Sequence, residues 1–141
     1  MSSRAVQLQP AVDQAKQRTE DALAQLALQQ QQLAKAEHQL GELKRYRQEY
    51  ASNGGGSSTV GALLNRQKFV ERIDYAIAQQ NNEIVRLQRL LDQVRGRWHQ
   101  AHARESALDS VIEHCIEEER QAADRHEQAE IDERMQYRRP R

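Results

Sequence analysis

The stretch Ala51-Ser52-Asn53-Gly54-Gly55-Gly56-Ser57-Ser58-Thr59-Val60-Gly61 is the one clear interruption in a chain that otherwise reads as helix. Four of the six glycines fall here. Asn53-Gly54 is a helix stop, because both residues tolerate positive φ. Ser57, Ser58 or Thr59 can accept from the first free N–H groups of a new helix. The interval is short, so the flanking helices are expected to fold back on each other as a helical hairpin.

On the N-terminal side, a seven-residue repeat runs through two series of positions. One is Ala5, Val12, Thr19, Leu26, Leu33, Leu40 and Arg47; the other is Leu8, Ala15, Ala22, Gln29, Ala36, Leu43 and Tyr50. Eleven of these fourteen residues are apolar, and Gln, Glu, Lys and Arg fill most of the spaces between. A 3–4 spacing held for this length is a coiled-coil seam. Pro10 favours a regular helix from about residue 10 to 50, with a looser turn before it.

On the C-terminal side the repeat resumes as Leu63, Val70, Ile77, Ile84, Leu91, Trp98, Glu105 and Ile112. Its companion series is Arg66, Ile73, Gln80, Leu87, Val94, Ala101, Leu108 and Cys115. Thirteen of these sixteen are apolar. The loop is expected over residues 51–61 and the second helix over about 60–137. A tight loop sets Tyr50 opposite Leu63, Leu43 opposite Val70, Leu40 opposite Ile73 and Ala36 opposite Ile77. The same register puts Leu26 against Leu87 and Ala5 against Leu108, and it sets Leu91 against Ala22 and Trp98 against Ala15, large residues meeting small ones. It also sets Arg47 against Arg66, a poor layer, and a shift by one heptad stays open. Beyond about residue 110 the second helix has no partner left, so the arms are unequal. The expected fold is all-α: one antiparallel coiled-coil hairpin with an overhanging C-terminal helix.

Composition agrees with a narrow stripe of burial rather than a thick core. Aromatic residues are 4% of the 141, charged residues 30%, and 21 basic residues balance 21 acidic ones. No global field draws the chain to nucleic acid or to an anionic membrane. The N-terminus lacks the apolar core of a signal peptide, and no run approaches the ~18 apolar residues of a membrane span. With a single cysteine, Cys115, there is no internal disulfide framework, which suits a reducing compartment. A cytosolic protein without membrane insertion is expected.

Candidates for chemistry are few. Two helices make no concave pocket in which to desolvate an acid or a base. The run Glu117-Glu118-Glu119 reads as a solvated face, and the glycine-serine loop lacks the Gly-Lys-Ser/Thr ending of a phosphate cradle. The five histidines, His38, His99, His102, His114 and His126, do not converge at zinc-ligand spacing. Cys115 reads as a small seam hydrophobe that could cross-link two copies under oxidising conditions. Dispersed lysines and arginines without interleaved aromatics argue against nucleic acid. No cofactor, metal or catalytic residue is expected.

Four segments then carry a resemblance. They are Tyr46-Arg47-Gln48-Glu49-Tyr50 before the loop, and Asn65-Arg66-Gln67-Lys68-Phe69-Val70 with Ile73, Ala76-Ile77 and Gln79-Gln80 after it. Trp98 follows about 18 residues on, and Arg125-His126-Glu127-Gln128 with Asp132-Glu133 stands near the end. In this order and spacing, over nearly the whole length, the chain resembles the FliJ proteins of bacterial flagellar protein export. The resemblance implies a non-enzymatic stalk, cytoplasmic and peripherally associated with the cell membrane, and monomeric alone. It implies three partners: the hexameric export ATPase ring, the cytosolic domain of the export gate membrane protein, and export chaperones. Phe69, Ile73, Ala76 and Gln80 match the family segment that looks like its gate-contacting face. Residues 1–15 and 110–141 are the ATPase-binding part by analogy with rotary shafts. Two other readings share the architecture: the equivalent stalk of a virulence type III secretion system, and a generic coiled-coil spacer that dimerises.

Overall fold

The computed structural model describes residues 3–52 and 59–138. Two helices account for nearly all of them: α1, Arg4–Ser52, and α2, Val60–Arg138. The fold is all-α, two long helices packed on one another as a helical hairpin. The expected stop at Asn53-Gly54 and the candidate caps Ser57 and Ser58 lie outside the described residues.

Both helix starts are capped by hydroxyl side chains. Ser3 Oγ accepts from the Val6 N–H at 3.1 Å, and the Ser3 carbonyl accepts from Gln7 at 3.0 Å. Thr59 does the same for α2: its Oγ1 accepts from Ala62 at 3.2 Å and its carbonyl from Leu63 at 3.1 Å. Each cap satisfies N–H groups that a helix start leaves without a partner.

The first cap corrects the expected start near residue 10. α1 begins at Arg4 and runs through Pro10. A proline here removes the N–H that would reach the Val6 carbonyl. Val6 and Pro10 both lie on the exposed face, where water can replace that donor. The helix tolerates the proline for that reason.

Contacts divide the chain into two packing units. Ala22–Trp98 forms one; the residues up to Asp21 and those from His99 onward form the other.

In the Ala22–Trp98 unit the helices are antiparallel. One apolar cluster joins Leu26 to Leu91 and Val94, with Leu33 and Trp98 packed against it. A second joins Ala36 to Ile84 and Leu87, with Leu33 and Leu40 beside it. Nearer the connection, Gln80 bonds to Ala36 and Gln39, Arg47 pairs with Asp74, and the Tyr50 ring lies on Phe69. All of these fit a register with Ala36 level with Ile84, Leu33 with Leu87, Leu26 with Val94, Leu43 with Ile77 and Tyr50 with Val70.

The expected register is therefore corrected by one heptad. Tyr50 is not level with Leu63, nor Ala36 with Ile77, and Trp98 packs on the Leu26–Leu91–Val94 cluster. The physical reason is polar. The expected register opposes Arg47 to Arg66, whereas this one gives Arg47 a carboxylate partner and gives the seam amide of Gln80 two acceptors. Large still meets small, as Ile84 stands beside Ala36. Gln29 is a costlier seam residue: its Oε1 is buried and has no hydrogen-bond partner among the described residues.

In the second unit the inner face of α1 is closed by Ala5, Val12, Ala15 and Thr19, with Val12 only 2% exposed. The Thr19 hydroxyl satisfies itself by donating to the Ala15 carbonyl at 3.0 Å. On α2 the buried face extends through half-buried Leu108 and Ile112 to Cys115, which is 4% exposed. Burial thus continues past residue 110, where the seam had been expected to lose its partner. From residue 116 to 138 every residue is exposed.

Candidate functional site: exposed faces of the two helices

The apolar residues left for partners are those that stay exposed. Two groups of them stand near the connection, on both helices, and on α2 after Cys115.

Near the connection, the seam positions stop being buried. Tyr50 is exposed, and its ring stacks at 4.5 Å, tilted by 31°, against Phe69, which is 42% exposed. Arg45 lies 5.8 Å over the neighbouring Tyr46 ring, a cation–π contact on the same part of α1. Tyr50, Leu63, Arg66 and Val70 line an open groove of about 340 Å³. Val60, Leu63 and Leu64 are exposed, because this register carries the first turns of α2 past the end of α1. Asp74 holds Arg47 above its ordinary guanidinium range, through their hydrogen bond first and their charge attraction second. Both partners are about half exposed, so this ion pair sets geometry more than stability.

The four residues named as a gate-contacting face do not share one environment. Ile73 is buried in the seam. Gln80 is half-buried, with its amide turned inward: Nε2 donates to the Ala36 carbonyl at 2.9 Å and to Gln39 Oε1 at 3.2 Å. Ala76 is half-buried, and Phe69 alone presents a large surface. Phe69 lies outside both seam series, and the shifted register is what brings Tyr50 alongside it.

After Cys115, ion pairs and hydrogen bonds hold α2 from within. Arg120 bridges Glu117 at 2.7 Å and Asp124 at 2.9 Å, and Gln121 donates to Glu117 at 3.3 Å. His114 faces Glu118 at 2.9 Å, His126 faces Glu130 at 3.1 Å, and Gln128 donates to Asp132 at 3.1 Å. The hydrogen bond from Arg120 is the main cause that holds the Glu117 carboxyl below its ordinary range. Such i,i+3 and i,i+4 pairs on an exposed helix each add only weakly to its stability. Between them Ile116, Ile131, Met135 and Tyr137 stand exposed. This is a helix held by local pairs, with a few apolar side chains turned outward.

Among the described residues no group of three His, Cys, Asp or Glu is placed to hold a metal ion, and no helix is long and apolar enough to cross a membrane. No curated protein and no solved structure matches the chain. A family model does: the one described as flagellar FliJ protein matches residues 3–141. The chain belongs to the FliJ family and is a component of flagellar type III protein export.

Proposed function

We propose that this protein is the non-enzymatic stalk of the flagellar export apparatus, binding the hexameric export ATPase and linking it to the export gate in the cytoplasm. The observation that carries this reading is the fully exposed helix of residues 116–138, continuous with a packed seam that ends at Cys115. A helix with no partner of its own, yet pre-formed by internal ion pairs, loses little conformational freedom when another protein closes over it. A symmetric ring can grip it, and each ring subunit then meets a different face. Phe69 and the neighbouring Ala76 are the residues offered to the export gate, while Ile73 and Gln80 support them from the seam side. Export chaperones are the third class of partner, and the exposed apolar residues of α2 are where they would compete.

The test is the turnover of the cognate export ATPase with and without the full chain, alongside sedimentation of the mixture. Raised turnover together with a ring-sized complex containing the chain supports the stalk. A folded chain that neither binds the ATPase nor alters its turnover overturns it.

A further inference from the structure

The two seams differ in length by one heptad. α1 offers fourteen seam positions, from Ala5 to Tyr50, and α2 offers sixteen, from Leu63 to Cys115. Two registers therefore match every α1 seam position to a seam position on α2. The one described here leaves Leu63 53% exposed and buries Cys115 to 4%. The other moves α2 by seven residues, about 10 Å along the helix axis. It sets Tyr50 level with Leu63, Leu43 with Val70, Leu40 with Ile73, Ala36 with Ile77 and Leu26 with Leu87. Ile112 and Cys115 are then the positions left over.

We infer that the hairpin exchanges between these two registers, and that the Arg47–Asp74 pair and the Gln80 amide bias it toward the described one. Heptad spacing keeps apolar residues facing apolar residues in both states, so the core gives little preference. The polar residues do discriminate. The slipped register opposes Arg47 to Arg66 and places Gln80 level with Leu33, in exchange for burying Leu63. The ion pair that resists the slip is about half exposed on both sides, a weak latch. Small sequence preferences over a bistable packed interface are what allow one helix to ratchet past another. This inference is independent of the stalk reading, since it concerns the chain alone.

The test uses three full-length variants in a Cys115→Ala background, each carrying Ala36→Cys. The second cysteine replaces Ile84 for the described register, Ile77 for the slipped one, or Leu91 for an equal slip the other way, which would run Leu8 against Glu119. Closure under mild oxidation, at a dilution that prevents intermolecular bonds, is followed on non-reducing gels. The Ile84 pair is expected to close fastest, and the Ile77 pair severalfold faster than the Leu91 pair. Equal rates for the Ile77 and Leu91 pairs, or no closure of the Ile77 pair, overturn the exchange.

A second measurement leaves the apolar seam intact. Asp74→Lys repels Arg47 in the described register, but in the slipped one position 74 stands level with Gln39. Thiol labelling of Cys115 is expected to be severalfold faster in this variant at unchanged helicity. Unchanged labelling, or faster labelling that tracks a loss of helicity, overturns the proposal.

Discussion

Gln80 reaches across the hairpin and donates its side-chain amide to the main-chain carbonyl of Ala36, at 2.9 Å. A side chain from one helix that bonds to the backbone of the other reads position rather than side-chain identity, so it pins the register. Gln80→Ala removes this bond and the one to Gln39, and should lower stability by about 1–2 kcal/mol. The urea midpoint measures it. An unchanged midpoint would mean that the apolar seam alone sets the register.

Trp98 closes the Leu26–Leu91–Val94 cluster from one side. Its side chain is half-buried, so Trp98→Ala should cost about 2–4 kcal/mol, nearer the lower end than a fully enclosed tryptophan would. Thermal unfolding followed by circular dichroism reads the loss. A shift too small to measure would place Trp98 among the surface residues and leave the cluster to the aliphatic side chains.

The seam was legible because its signal is periodic and local. The positions read from the heptads are those found buried or half-buried along most of both helices, from Ala5 through Leu43 on α1 and from Arg66 through Cys115 on α2. Register was not legible in the same way. A seven-residue repeat matches itself after every seven residues, so Ile77 and Ile84 are equally good neighbours for Ala36. What decided between them was a pair of polar contacts, Arg47 with Asp74 and Gln80 with Ala36, and Asp74 lies off the seam that the sequence reading followed. The helix start was missed because Pro10 reads as the first turn of a helix, whereas Ser3 is a weaker start signal that prevails because Pro10 falls on the exposed face. Of the candidate site, Phe69 was legible as an aromatic out of phase with the seam. The inward turn of Gln80 was not, because a glutamine at a seam position reads as a flaw until its acceptors are in place.

Phe69 stacks on Tyr50 while keeping 42% of its surface exposed. Phe69→Ala should therefore cost only about 0.5–1.5 kcal/mol of stability. Its larger effect is expected in motility and in binding to the export gate domain, measured by pull-down with a folded variant. Full binding by Phe69→Ala would remove this residue from the gate-contacting face.

Acid should loosen the exposed end of α2 first. Arg120 holds Glu117 below the ordinary carboxylate range, so the folded helix binds this proton less readily than the unfolded chain does. The sign follows from linkage: the contribution is present above the unfolded value and is lost as pH falls through the depressed folded one. Amide exchange around Gln121, corrected for the intrinsic effect of pH, should accelerate relative to that around Leu87 as the solution is taken below the ordinary carboxylate range. Salt should weaken the same segment at neutral pH, because these charges are exposed and screened. Parallel behaviour of the two regions would show that the ion pairs do not hold the helix.

Gln29 offers the opposite kind of test, a substitution that should help. Its Oε1 is buried with no hydrogen-bond partner among the described residues, on a seam whose neighbours on α1 are Leu26 and Leu33. A buried polar atom without a partner costs about 1–3 kcal/mol, and a leucine of similar volume carries no such penalty. Gln29→Leu should raise the unfolding midpoint by an amount equivalent to about 1–2 kcal/mol. A lower midpoint would mean that the Gln29 amide is satisfied by water in solution. The glutamine would then be a polar layer that specifies pairing, in the way that a single buried amide fixes register in other coiled coils.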